Sequence, residues 1–255
     1  MARIFISGSS TGLGMMAGRL LAEERHQVVL HARNAGRAED ARREVPKAEA
    51  VVIGDLATIE GARDVAGQVN CLGTFDAVIH NAAVGYQESH RKTADGLPHV
   101  FAVNTLAPYI LTALIARPKR LVYMTSGMHR GAEAHLDDLL WEKRSWRGSQ
   151  AYAESKLHDA MLAFAMARLW HIPSNAVDPG WVATRMGGAG APDDLEQGYR
   201  TQAWLAVSDE PAALVSGKYF HHKQPRDPNR QALDEGLQDR LLAACTRISG
   251  VDLPG

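Results

Sequence analysis

Arg3-Ile4-Phe5-Ile6-Ser7-Gly8-Ser9-Ser10-Thr11-Gly12-Leu13-Gly14 runs from a short apolar segment straight into three glycines. Ile4–Ile6 has the composition of a buried strand, and the residues after Gly12 have the spacing of a helix. Glycines at such a junction let the backbone turn sharply and come close to a pyrophosphate. The first amides of the helix can then hold the anion. A tight strand-to-helix turn on its own would use the same residues. The spacing also departs from Gly-x-Gly-x-x-Gly, because three residues separate Gly8 from Gly12.

Outward from this junction the pattern repeats. Apolar, β-branched runs recur at Val28–Leu30, Ala50–Ile53, Ala77–Ile79 and Leu121–Met124, with a weaker one at Asn175–Val177. Runs of this kind suit strands buried on both faces of a parallel sheet. Helix-length segments lie between them, as in Leu157, Met161, Phe164 and Ala165. The alternation predicts an α/β fold, a Rossmann-type doubly wound parallel sheet of about seven strands with helices on both faces. With 255 residues the chain fits one α/β domain, 1–255, and leaves little for a second. Gly187–Asp194, which opens on Gly-Gly-Ala-Gly-Ala-Pro, and His221–Asn229, with Pro225 and Pro228, read as irregular. The first predicts a substrate loop near 185–205. Leu233, Leu237, Leu241 and Cys245 recur every fourth residue and predict a C-terminal helix near 230–248.

Composition narrows the function classes. The net charge is −1, so nothing favours nucleic acid or an anionic membrane as partner. Basic residues around Arg42, Arg43 and Lys47 alternate with Glu39, Asp40 and Glu44, as on a solvated helix face. No apolar run approaches the ~20 residues that span a bilayer. The two cysteines, Cys71 and Cys245, have no metal or redox spacing and suit a reducing compartment. A first strand so near Met1 leaves no room for a signal peptide, so a soluble cytoplasmic protein is expected. Among eleven histidines, His221-His222 would point to opposite faces of a strand and could not share a metal. No metal site is expected.

Further landmarks come in order. Gly54-Asp55-Leu56 ends the third strand, His80-Asn81-Ala82-Ala83 the fourth, and Thr125-Ser126 the fifth. Phe101-Ala102-Val103-Asn104 lies on a helix. Tyr152-Ala153-Glu154-Ser155-Lys156 places a tyrosine and a lysine four apart, and Asp178-Pro179-Gly180-Trp181-Val182-Ala183-Thr184 closes the series. Together with Gly-x-x-x-Gly-x-Gly, this order resembles the short-chain dehydrogenase/reductase family over roughly residues 3–184. Two letters of that family's Asn-Asn-Ala-Gly are changed here. Ser216-Gly217-Lys218-Tyr219-Phe220, the closing helix and the long Ser126-to-Tyr152 segment, with His129 and Asp137-Asp138-Leu139, resemble the retinol-dehydrogenase-like branch.

The resemblance implies an NAD(P)-dependent enzyme that interconverts a small carbonyl compound, aldehyde or ketone, and an alcohol by hydride transfer. Ser126, Tyr152, Lys156 and Asn104 are then the catalytic set. The cofactor would lie against Gly8, Ser10, Thr11, Gly12, Leu13, Gly14, Arg33, Asp55, Leu56, Asn81, Ala82, Ala83, Tyr152, Lys156, Pro179, Gly180, Val182 and Thr184. On a helix, Tyr152 and Lys156 share a face. A lysine ammonium and an oxidised nicotinamide both favour phenolate. Lowering a phenol from ~10 by about 2–3 units needs about 3–4 kcal/mol of differential stabilisation. Tyr152 would then give or take the proton, with Ser126 holding the same oxygen and Lys156 also binding the ribose.

Cofactor choice turns on the end of the second strand. Ala32 stands where NAD enzymes place a carboxylate for the ribose hydroxyl. Arg33 comes next, with Arg37 near, and a guanidinium fork suits a 2′-phosphate, so NADP(H) is favoured over NAD(H). Thr11 stands where a second basic residue is often found. Pro108 cannot donate to the Asn104 carbonyl, which the resemblance implies holds a water in a relay toward Lys156; a simple kink would also use that proline. Trp181, Met186, His129, Trp141 and Tyr86 are candidates for the cleft wall or for packing. A non-catalytic dinucleotide-binding sensor is the alternative, although such proteins usually lose the tyrosine; an extended epimerase would need a larger substrate domain. Relatives commonly pair through helices, which leaves a homo-oligomer open.

Overall fold

A computed structural model of the protein describes residues Met1–Pro254. Its strands are β1 (Arg3–Ile6), β2 (Gln27–Ala32), β3 (Ala50–Ile53), β4 (Ala77–His80), β5 (Arg120–Met124), β6 (Ser174–Asp178), β7 (Tyr219–His221) and β8 (Gln224–Arg226). The helices are α1 (Gly12–Glu23), α2 (Ala35–Glu44), α3 (Ile59–Cys71), α4 (His99–Phe101), α5 (Ala107–Leu114), α6 (Gly148–Trp170), α7 (Leu195–Val207) and α8 (Glu235–Ser249). The strands form one sheet in the order β3-β2-β1-β4-β5-β6-β7-β8. Every pairing is parallel except β7 with β8.

Alternate strand residues feed two cores, which is why the strands read as continuous apolar runs. Phe5, Val29, Val78, Tyr123, Ala176 and Tyr219 join one cluster with residues of α3, α5, α6 and α8. Ile4, Ile6, Val28, Leu30, Ile79, Val122, Met124, Val177 and Phe220 join the other, against α1 and α7. Helix α6 is buried on all sides from Ala151 to Met166, as befits a helix enclosed by its neighbours.

The sheet has eight strands where the sequence suggests about seven. The extra one, β8, is the exposed Gln224-Pro225-Arg226 in a segment read as irregular; it pairs only at the sheet edge, where proline is tolerated. The predicted loop at 185–205 is irregular only up to Asp194. There the Asp194 carboxylate accepts from the Glu196 and Gln197 amides and starts α7. The last helix begins at Glu235, capped by Asp234. Leu233 therefore lies outside it, exposed, while Leu241 and Cys245 are fully buried. No helix is long and apolar enough to cross a membrane among the described residues.

Candidate active site

Strand order reverses between β1 and β4, and the loops leaving their carboxyl ends diverge there, making the crevice in which open α/β sheets bind ligands. The glycine loop after β1 forms one wall. Gly8 and Gly12 have φ +61° and +64°, which other residues rarely adopt. A Cβ on Gly8 would lie 2.5 Å from Ala82 Cα, and one on Gly14 would lie 2.3 Å from Asn81 Nδ2. The two loops thus pack backbone against backbone. Asn81 locks them by donating from Nδ2 to the Ser7 and Gly8 carbonyls, at 3.1 and 2.9 Å. Ser7 Oγ accepts from the Asn81 and Ala82 amides.

His31, which the sequence did not mark as part of the site, fixes this loop from the other side. Its Nδ1 accepts from the Gly8 amide at 2.9 Å, so its Nε2–H donates to the Gly54 carbonyl at 2.9 Å. Burial lowers its pKa and keeps the ring neutral, as these two bonds require. One imidazole therefore ties the ends of β1, β2 and β3 together.

These surroundings fit a dinucleotide. Space opens around the Cβ position of Gly12, and α1 starts without a side-chain cap from Thr11, with no acidic residue in its first turn. The first amides of a helix have no intrahelical partner, so an anion can meet them there. Ser10 and Leu13 belong to the same turn. At the end of β2, Arg33 is exposed and makes no hydrogen bond or ion pair among the described residues, whereas Arg37 leans on Asp40 at 3.4 Å. Asp55 turns its carboxylate onto the Ala57 amide, and Leu56 beside it is buried.

The chemistry-bearing side chains converge at the carboxyl ends of β4, β5 and β6. Tyr152 is 7% exposed, with its ring edge-on to Tyr86 at 6.2 Å. Lys156 Nζ lies 5.7 Å from that ring. Ser126 lies just past β5, close enough to Tyr152 to favour its ionised form, and its Oγ accepts from the Met128 amide at 3.3 Å. Desolvation raises the Tyr152 pKa, against the pull of Lys156 and Ser126 and with help from Asp159 and Asp178. The sequence alone suggests a depressed phenol; with the protein's own groups, burial wins.

Lys156 is 2% exposed and donates to the Met124 carbonyl and to Asp159 Oδ2, each at 2.8 Å. The Asn104 side chain is engaged at both ends: Oδ1 accepts from the Val84 amide at 2.8 Å, and Nδ2 donates to the Val84 carbonyl and to Ser155 Oγ. It therefore joins the loop after β4 to α6. The backbone there is a π-turn, Ala102–Leu106, in which the Ala107 amide reaches five residues back to Ala102. Pro108 consequently sits in the first turn of α5, where a missing donor is least costly.

The loop after β6 closes the crevice. Gly180, at φ +83°, gives its amide to Asp178 Oδ1 at 2.9 Å. The Pro179 carbonyl accepts from His222 Nε2 at 3.2 Å. Val182 is buried and pairs with Asp193, and Thr184 Oγ1 accepts from the Gly187 amide. Met186 reaches across to Gly85, where an added Cβ would lie 2.9 Å from Met186 Cγ. Trp181, at 57% exposure, and Met186 stand at the mouth with Met128, whereas His129 and Trp141 are buried packing residues. His129 Nδ1 donates to the Ser126 carbonyl at 2.7 Å and so steadies that serine from behind. His221 and His222 do not diverge. His222 leaves the strand at φ +49°, and the two rings stack at 3.9 Å.

Comparison with known proteins agrees with this geometry. The sequence model of short chain dehydrogenases matches residues 2–132. The chain is 46% identical to an uncharacterized oxidoreductase of Emericella nidulans, over 100% of both chains. It is 27% identical to human retinol dehydrogenase 13, over 98% of this chain and 85% of the other. A crystal structure of an uncharacterized protein from Mycobacterium paratuberculosis superposes with a TM-score of 0.87 at 25% identity, covering 100% of this chain and 96% of that one. This chain belongs to the short-chain dehydrogenase family, an oxidoreductase that binds a nicotinamide dinucleotide and acts on the carbonyl–alcohol couple of a small molecule, with the retinol-dehydrogenase-like branch among its relatives.

Proposed function

We propose that the protein is an NADP(H)-dependent reductase and dehydrogenase of apolar aldehydes or ketones and their alcohols, with Tyr152 as the acid–base group. The observation that carries this reading is the meeting of Tyr152, Ser126 and Lys156 at the carboxyl end of β5. Bound NADPH supplies the hydride for reduction, and NADP+ accepts one in oxidation. The Ser126 hydroxyl orients the substrate oxygen. Tyr152 gives that oxygen a proton as the carbonyl carbon gains hydride, and removes it in the reverse direction. Lys156 holds the ribose and keeps a positive charge near the phenol. Met128, Trp181 and Met186 offer an apolar mouth, which favours a hydrophobic substrate. Initial rates of NADPH consumption across aldehydes, ketones and quinones test the reading, and no turnover with any of them would contradict it.

The NADP preference rests on Arg33 and on Ala32, where no carboxylate repels a phosphate. A charge-assisted contact to the 2′-phosphate contributes about 1.5–3 kcal/mol. Arg33→Ala is expected to weaken NADPH binding by about 10- to 100-fold, with NADH affinity nearly unchanged. Paired dissociation constants at one salt concentration check this, and equal losses for the two cofactors would show that Arg33 does not read the phosphate.

A further inference from the structure

Lys156 and Asp159 form an ion pair inside the protein. They lie one turn apart on α6, with their charged groups 2.8 Å apart and both side chains 3% exposed. The second bond from Nζ goes to the Met124 carbonyl at the end of β5. An ammonium has three donors, and two of them are taken here by the Met124 carbonyl and Asp159. Thr125 Oγ1 donates to the Lys156 backbone carbonyl at 2.6 Å and fixes the turn that carries both residues.

We propose that Asp159 is a positioning residue that pins the Lys156 ammonium and offsets its charge, so that Tyr152 faces the pair and not a lone cation. The inference rests on the function proposed above. The groups that face Asp159 are Lys156 and Tyr152 from α6 and Tyr123 from β5. Tyr123 is fully buried, and its hydroxyl is engaged by Thr112 of α5 at 2.7 Å, so it stays neutral. Burial pushes the Asp159 carboxyl up, against the pull of Lys156. The Asp159 charge in turn raises Tyr152, opposing what Lys156 does to it. Removing that charge while keeping an acceptor for Nζ therefore makes the phenolate easier to form.

The test is a titration of the phenolate by ultraviolet absorption, with the whole protein saturated with NADP+. The Tyr152 component is the part lost in Tyr152→Phe. In Asp159→Asn its midpoint is expected to fall by at least about one pH unit, while Asp159→Glu, which keeps the charge, stays near the wild type. Asp159→Ser carries the same expectation as Asn, should the Asn variant lose its fold. A Tyr152 component that titrates at the same pH in wild type, Asn and Ser variants would overturn the proposal alone. A wild type with no Tyr152-dependent component, and no NADPH turnover with any carbonyl compound, would overturn the functional reading and this inference with it.

Discussion

Tyr152→Phe is expected to lower turnover in carbonyl reduction by about 10²- to 10⁴-fold, the usual contribution of a positioned proton donor, and to leave NADPH affinity within about threefold. The substitution keeps the ring that packs edge-on to Tyr86 and deletes only the hydroxyl beside Ser126. Binding and chemistry should therefore separate cleanly. Initial rates with the best substrate, alongside a fluorescence titration of NADPH, measure both. Turnover within about threefold of wild type would remove Tyr152 from the chemistry.

Lys156→Met should be the more damaging change, because it strips a partner from a buried carboxylate. Breaking a buried ion pair by removing one member costs about 3–5 kcal/mol. The dependence on pH gives the effect a sign. Burial raises the Asp159 carboxyl to about 7 even with Lys156 beside it, and without the ammonium it moves higher still. A carboxyl that binds its proton more tightly folded than unfolded loses stability as pH rises. Wild type shares that loss up to its own folded value, so the variant's extra penalty opens only above about pH 7 and is complete at the variant's higher folded pKa. The variant should thus melt close to wild type below about pH 7 and progressively below it as pH rises toward about 9. Adding Asp159→Leu should restore the melting temperature at pH 8 but neither turnover nor NADPH binding. Parallel melting curves for variant and wild type across that range would contradict the buried pair.

The doubly wound sheet was legible because its strands are buried on both faces, which writes Ile4–Ile6, Val28–Leu30 and Ala77–Ile79 as unbroken apolar runs. Strand β8 was not, because an exposed Gln-Pro-Arg at a sheet edge has no apolar signature. The start of α7 left a readable mark in Asp194 with Gln197 three residues on, a capping pattern that the glycine-rich stretch before it obscured. Tyr152, Lys156, Ser126 and the glycine loop were legible through their spacing and order. The Lys156–Asp159 pair was not: lysine and aspartate one turn apart read as an ordinary solvated pair, and only the packing of α6 on every side makes it buried. The same burial reverses the direction in which the Tyr152 phenol is shifted. His31 illustrates the same limit, since its ring bridges the glycine loop and Gly54 from strands that are neighbours only after folding.

The central claim is that this crevice transfers hydride from NADPH to a carbonyl carbon while Tyr152 supplies the proton. The direct measurement uses NADPH carrying deuterium at nicotinamide C4, in separate preparations labelled on each face, with the best carbonyl substrate from the screen. Mass spectrometry of the alcohol should show one deuterium on the carbinol carbon from one of the two preparations, none from the other, and no alcohol formed by Tyr152→Phe beyond a trace. An alcohol without label from either preparation, or equal formation by the phenylalanine variant, would contradict it.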